Sequence, residues 1–333
     1  MSLKIVYMGT PEFAVAPLDA IIEKGYNVVG VVTVPDKPSG RGLKLNESAV
    51  KQYAVSKGLK IMQPVSLKEQ SFLDELASLE ADLFIVVAFR MLPKVVWSMP
   101  EMGTFNLHGS LLPQYRGAAP INWAIINGEK RSGVTTFLID EKIDTGNILM
   151  REECPIGENE NVGSLYDRLM GIGANLVVKT VEGVVAGTLT PKPQELFLPE
   201  ELKGKDIDTV VNSAPKLTKE LCRIKWDSPV SDVHNLIRGL SPYPAAFSTI
   251  TDGEKSVDMK IFETLPVEGK SRNFTDNEFV GKIVTDKKSY IHVICADGIL
   301  SLEEIQLAGK KRMRVKEFLL GFRDIENFRF VQA

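Results

Sequence analysis

Cysteine is scarce in this chain: Cys154, Cys222 and Cys295 are the only three in 333 residues. They are odd in number and far apart, with no CxxC and no Cys/His ligand spacing. Neither a disulfide framework nor a zinc site is indicated, so no metal is expected, and a reducing compartment fits best. Long hydrophobic runs are also missing. No stretch of 18 uncharged apolar residues occurs, which leaves no candidate membrane span. Met1-Ser2-Leu3-Lys4 runs directly into an apolar stretch and lacks the basic-then-apolar pattern of a signal peptide, so a cytoplasmic location is expected. An excess of one charge is lacking too. Forty Lys and Arg against 43 Asp and Glu give a net charge of −3, so bulk charge does not announce a nucleic-acid partner. Histidine is equally rare, with three residues, so each can be weighed on its own.

What is present is a globular composition, 44% hydrophobic and 25% charged, long enough for two ordinary domains with buried cores. Apolar, β-branched runs at Leu3–Met8, Asn27–Thr33, Leu59–Met62, Leu83–Ala88, Gly103–Leu107 and Val134–Ile139 alternate with helix-like spacers. That order predicts an α/β domain with a parallel sheet and helices on both faces. Asn147–Glu153 adds an edge strand and Ser164–Val185 a closing helix. Pro35 to Asn46 reads as a long exposed loop. Gly187 to Lys205 carries Pro191, Pro193 and Pro199 with little periodicity and reads as a semi-extended linker. Helical signals follow at Lys205–Asn212 and Val230–Gly239. Five short strands come next, at Ala246–Thr251, Asp258–Glu263, Gly281–Thr285, Tyr290–Cys295 and Leu300–Leu307, and predict a small antiparallel barrel. The expected division is 1–188, a linker at 189–206, and 207–333.

The segment richest in chemistry is Gly103 to Gly117, GTFNLHGSLLPQYRG. Asn106 and His108 are two apart at the end of a predicted strand, so an amide and an imidazole project from one face. The carboxyl edge of an open α/β sheet is where ligands bind. Gly109 and Pro113 force an irregular loop next, which leaves the pair uncovered. A second loop, IDEKIDTG at Ile139–Gly146, can deliver a carboxylate to the same crevice, and the Asp-Thr-Gly turn favours Asp144 over Asp140. Each residue also has a bland reading: a surface histidine, a turn-forming asparagine, an Asx-turn. His234 falls in an amphipathic helix pattern and His292 in an alternating strand.

HGSLLPQYRGAAP resembles the signature of the folate-dependent formyltransferases. YMGTPEFA at Tyr7–Ala14 and PDKPSGRGLKL at Pro35–Leu45 narrow the resemblance to the branch acting on methionyl-tRNA. APKLTKE at 214–220, IRGLSPYPAAFS at 237–248 and LAGKKRM at 307–313 extend it over nearly the whole chain. The resemblance implies a Rossmann-like formyltransferase domain followed by a small OB-type β-barrel that binds tRNA. It implies 10-formyltetrahydrofolate as donor and initiator methionyl-tRNA as acceptor. Asn106, His108 and Asp144 match the family's catalytic triad, and Ser110, Leu111, Leu112 and Pro113 its folate-contacting run. Ala88 and Leu92 fall in the AFRMLP segment that is expected to wall the pteridine pocket. There Phe89 and Arg90 depart from the Tyr-Gly pair frequent in the family, an arrangement that is tolerated if Arg90 points to solvent.

Formyl transfer is acyl transfer, so a developing oxyanion needs donors, each worth roughly 3–4 kcal/mol. Asn106 offers a neutral NH2, and a protonated His108 a charged donor. A neighbouring carboxylate favours the charged imidazole, the role expected of Asp144. For tRNA, Lys37, Arg41 and Lys44 lie in the glycine- and proline-rich loop. Lys310, Lys311, Arg312, Arg314 and Lys316 cluster in the barrel, with Lys216 nearer its start. A monomer is expected. The alternative within the same chemistry is a formyltransferase for a sugar nucleotide or other small amine, which does not account for the basic barrel. A nicotinamide dehydrogenase is disfavoured because the first turn reads Gly9-Thr10-Pro11 rather than GxGxxG, and Pro11 lacks a backbone donor. A non-catalytic tRNA-binding or folate-sensing module would not need all three catalytic positions.

Overall fold

In the computed structural model, which describes residues 3–39, 44–267, 279–322 and 324–331, the apolar runs of the first half pair into a seven-stranded sheet. Its order is Ile148–Pro155, Arg131–Leu138, Thr104–His108, Leu83–Val87, Lys4–Gly9, Asn27–Val32 and Ile61–Met62. Leu83–Val87 is buried at every position, as expected for a strand covered on both faces. The chain winds outward to Ile61–Met62, then crosses back to Leu83–Val87. Winding therefore reverses between Lys4–Gly9 and Leu83–Val87, and the crevice at such a switch opens at the carboxyl ends of the strands.

Five strands of this sheet are parallel, but Arg131–Leu138 runs antiparallel to Thr104–His108, pairing Asn106 with Phe137 and His108 with Thr135. The wholly parallel sheet expected from the sequence is thus a mixed one. A strand's burial pattern reads the same in either direction, so periodicity carries no information on polarity. The 35–46 segment, expected as a loop, contains a small antiparallel pair, Lys37–Ser39 with Lys44–Asn46. Three-residue arms are too short for alternation to show. Lys51 holds both feet of this pair through Asp36 and Glu47, and Gln63 Nε2 donates to Asp36 at 2.8 Å and to the Val34 carbonyl at 2.9 Å.

By its internal contacts the chain forms two units. One comprises Met1–Pro120, Ser132–Cys154 and Tyr166–Ala214; the other Ile121–Arg131, Pro155–Leu165 and Pro215–Ala333. The proline-rich 187–205 stretch makes short 3-10 turns at Gln194–Phe197 and Glu200–Leu202, and Lys192 bridges to Ile148. It is bonded to the sheet unit, with extended backbone at Pro193, Leu198, Pro199 and Lys203 between the turns.

In the second unit, antiparallel strands run in the order Ile283–Thr285, Ile291–Ile294, Ile299–Leu307, Ser256–Pro266, Ala246–Thr251 and Arg329–Phe330. A bridge between Lys282 and Arg329 brings the two edges together, so the sheet is a nearly closed barrel. Trp226 is fully buried in its core, 4.6 Å from the Phe330 ring, and its indole N–H donates to Ser248 Oγ at 3.0 Å. The helix Val230–Leu240 packs in the same unit. Its Asn235 accepts from Arg238 Nε, and Gly239 O accepts from Asn122 at 2.8 Å, which draws 121–131 into this unit. His234 is buried with Nδ1 2.9 Å from Thr264 Oγ1, and His292 packs against Tyr290 at 4.2 Å. Both histidines have structural places. No helix among the described residues is long and apolar enough to cross a membrane.

Candidate active site at the end of the Thr104–His108 strand

Thr104–His108 buries Thr104, Phe105, Leu107 and His108 and leaves Asn106 half-buried. Asn106 and His108 share a face, as their spacing requires. Asn106 Oδ1 is buried and has no hydrogen-bond partner among the described residues. An orphaned buried acceptor in a native fold calls for an explanation, because leaving one unpaired costs roughly 1–3 kcal/mol. The His108 ring is buried, edge-on to Phe137 at 6.5 Å, with Nε2 2.8 Å from the Tyr115 carbonyl oxygen. A carbonyl only accepts, so Nε2 carries the hydrogen. Nδ1 is the nitrogen left over, and it lies 3.8 Å from Asp144 Oδ2. That distance is too long for a hydrogen bond, but it sets the carboxylate beside the one ring nitrogen that the Tyr115 carbonyl does not occupy.

Two loop carboxylates compete for this position, and their partners separate them. Asp140 is exposed and accepts from Lys142 N at 3.0 Å and Thr145 Oγ1 at 2.7 Å, capping its own turn. Asp144 is 12% exposed and accepts from Gly117 N at 2.9 Å. Asp144 adopts a left-handed backbone, φ +55°. At a residue other than glycine this costs roughly 1–2 kcal/mol. Gln194 Nε2 offsets it by donating to the carbonyls of Asp144 at 2.8 Å and Gly146 at 2.9 Å, bonds of roughly 1 kcal/mol each. Gly146 must be glycine, because a Cβ there would lie 1.7 Å from the Leu138 carbonyl oxygen. Gly117 has φ +126°, and a Cβ would meet the Ala214 carbonyl oxygen at 2.5 Å. That close approach lets 116–117 pair in parallel with Ser213–Ala214.

The loop that follows His108 is held by its own polar groups. Ser110 is buried, and its hydroxyl donates to the Gln114 carbonyl at 2.6 Å. Thr135 Oγ1 donates to the Ser110 carbonyl at 2.6 Å and accepts from Leu112 N at 3.1 Å. Leu112 is fully buried, Pro113 is buried behind a cis peptide bond, and Leu111 is half-buried. The side chains of Ser110, Leu112 and Pro113 thus pack into the protein, and Leu111 is the half-buried side chain of the run. Ala88 is exposed at the end of Leu83–Val87 with φ +46°, and Leu92 is buried in the adjoining core. Arg90 turns back onto the protein. Its guanidinium donates to the carbonyls of Pro64 and Val65 and lies over the Phe89 ring.

The basic residues are dispersed. Lys37 is exposed on its short strand, the backbone of Lys44 pairs with Ser39, and Arg41 lies outside the described residues. Lys216, Lys310 and Lys311 are exposed, as is Arg312. Arg312 is paired with Glu304 and lies 4.1 Å over the Phe262 ring, while Arg314 is paired with Glu263. Among the described residues no group of three His, Cys, Asp or Glu is placed to hold a metal ion.

Sequence reading missed Arg116 and Gln194. Arg116 donates to Gln194 Oε1 through Nε at 3.1 Å and through the second terminal nitrogen at 2.8 Å, and to Asp208 at 2.7 Å. Gln194 lies 50 residues from Asp144 inside a proline-rich stretch, and nothing local marks it.

Comparison with known proteins decides the family. The profile of formyl transferase matches residues 3–181, and that of the formyl transferase C-terminal domain matches 216–323. The chain belongs to the formyl transferase family. A methionyl-tRNA formyltransferase of Parabacteroides distasonis is 52% identical over 328 residues, 98% of each chain. Among solved structures of this fold, an N-formyltransferase of Helicobacter canadensis in complex with folinic acid and dTDP-3-aminofucose aligns with a TM-score of 0.62. The two are 21% identical, over 93% of this chain and all of that one. HypX of Aquifex aeolicus in complex with tetrahydrofolic acid aligns at 0.61 with 18% identity, over 96% of this chain, which spans only 47% of HypX.

Proposed function

We propose that this chain transfers the formyl group of 10-formyltetrahydrofolate to the α-amino group of methionine on initiator methionyl-tRNA. The observation that carries the acceptor is the 52% identity to a methionyl-tRNA formyltransferase over 98% of both chains. Family membership carries the reaction type. The folates named with the two solved relatives support a reduced folate as donor. Asn106, His108 and Asp144 are the catalytic set in this reading, with no metal taking part. Ala88, Leu92 and the backbone of Ser110–Pro113 line the donor's pocket. Lys37, Arg41, Lys44, Lys216, Lys310, Lys311 and Arg312 contact the tRNA. Such an enzyme works in the cytoplasm, where charged tRNA is found.

The methionyl nitrogen attacks the formyl carbon, the bond from that carbon to the folate nitrogen breaks, and the amine proton passes to that nitrogen. The unpartnered Oδ1 of Asn106 is an acceptor for the incoming amine N–H, and its NH2 is a donor to the oxyanion. Because Nε2 of His108 is committed to the Tyr115 carbonyl, Nδ1 is the ring nitrogen that serves the reaction. The Asp144 carboxylate, 3.8 Å from that nitrogen, complements positive charge that develops there in the transition state. Asp144 also orders a water that relays the proton.

The test is formyl transfer from 10-formyltetrahydrofolate to initiator methionyl-tRNA. Elongator methionyl-tRNA, uncharged tRNA and a nucleotide-linked amino sugar serve as rival acceptors. Efficient transfer to the initiator alone is expected. Preference for the amino sugar would overturn the acceptor assignment.

A further inference from the structure

We propose that Gln194 is the positioning residue for Asp144, and that Arg116 in turn locks Gln194. The inference rests on the reading that Asp144 takes part in the reaction. Gln194 is 2% exposed, and its amide has every hydrogen-bonding capacity used. Both hydrogens of Nε2 go to main-chain carbonyls of the Asp144 turn, and both lone pairs of Oε1 receive hydrogens from one guanidinium. The Arg116 guanidinium is anchored in its turn by Asp208, and the next residue, Gly117, donates its N–H to the Asp144 carboxylate. The turn is therefore gripped at two points: at its carboxylate by the Gly117 backbone, and at its main chain by Gln194, which Arg116 holds in turn.

The chemistry requires an amide at this position. Glutamate could answer Arg116 but would turn a carboxylate onto two carbonyl oxygens, and would add a negative charge near Asp144. Methionine fills similar volume and offers no donor, so the carbonyls of Asp144 and Gly146 are orphaned. The left-handed backbone at Asp144 then loses the bonds that hold it there. A carboxylate that moves by about an ångström loses its alignment with the His108 ring, and misplacement on that scale costs roughly hundredfold in rate. Substrate affinity is little changed, because Gln194 contributes no group to either substrate in this reading.

The experiment is a double-mutant cycle on the full chain with Gln194→Met and Asp144→Asn, reading kcat and both KM values, with circular dichroism to confirm folding. Arg116→Met is a second route that loosens Gln194 without altering the turn itself. Gln194→Met is expected to lower kcat about hundredfold with KM for donor and tRNA within about threefold. In the Asp144→Asn background the same change is expected to add almost nothing, because both substitutions remove one function. Normal kcat in folded Gln194→Met and Arg116→Met, with Asp144→Asn impaired, overturns the positioning role alone. Losses that multiply in the double variant also overturn it, since they place the effect on the fold at large. Near-normal kcat in Asp144→Asn overturns the catalytic reading of Asp144 and this proposal with it.

Discussion

The Asp144 turn and the 310–316 surface hold charge under opposite conditions. Asp144 is almost enclosed, and its carboxylate, its main chain and the glycines beside it each have one defined partner. Lys310, Lys311, Arg312, Arg314 and Lys316 stand in water, and two of the five are already answered by Glu304 and Glu263. Buried charge acts in a low dielectric with a fixed geometry, so one substitution removes most of its effect. Exposed charge is screened and shared, so each residue contributes a small, salt-dependent part. A chemical step needs the first arrangement. Holding a long polyanion needs only the second.

The sharpest way to break this contrast is at the enclosed site. His108→Ala and Asp144→Asn are each expected to cut single-turnover formyl transfer about a thousandfold while leaving the thermal unfolding midpoint within a few degrees. Near-normal transfer in either variant would remove the distinction between the two regions.

A buried ionisable group in the barrel unit sharpens it next. His234 is held down to about 4 from an ordinary 6.5, by burial first and by the neighbouring Arg238 second, with Glu158 opposing. The unfolded chain takes up a proton below about pH 6.5 that the folded ring accepts only near 4. The stability this contributes is complete above pH 6.5 and is lost as pH falls toward 4, up to roughly 3 kcal/mol. His234→Gln is expected to flatten that slope in urea unfolding between pH 4 and 6.5. An unchanged slope would show that burial in the barrel is not what governs this histidine.

Smaller effects are expected on the exposed surface. Reversing Lys310 and Lys311 together to glutamate should raise KM for methionyl-tRNA about tenfold at low salt and leave saturated kcat unchanged. A KM ratio that does not shrink as salt rises would contradict a screened, phosphate-directed role. Arg312→Gln should change KM by less than about threefold, because Glu304 already takes its charge. A larger loss would mark Arg312, stacked on Phe262, as a specific contact rather than one of a diffuse set.

Much of the fold was legible because its elements are long and strongly patterned. The helix Val230–Leu240 and the strand Ala246–Thr251 begin where the pattern placed them, and Leu83–Val87 is the buried run its composition described. Short elements were not legible. Met313–Arg314 and Arg329–Phe330 are two residues each and take their strand geometry from the partners they pair with. The same holds for the site. Asn106 and His108 could be placed on one face because a strand alternates locally, and Asp144 was favoured over Asp140 by its turn. Gln194 could not be found, because its four hydrogen bonds are made to residues 48 to 78 positions away.

By itself the sequence determined the α/β-then-barrel order, the amide and imidazole on one strand end, and a family resemblance that names a chemistry. Those are local properties, set by side-chain period, turn residues and motif. Only the tertiary structure decided which nitrogen of His108 is free, which loop carboxylate faces it, and what holds that carboxylate in place. Each of these depends on a carbonyl or amide brought in from elsewhere in the chain: Tyr115 to His108, Gly117 to Asp144, and Gln194 to the turn. Hydrogen bonds act over about 3 Å in space and leave no period in the sequence.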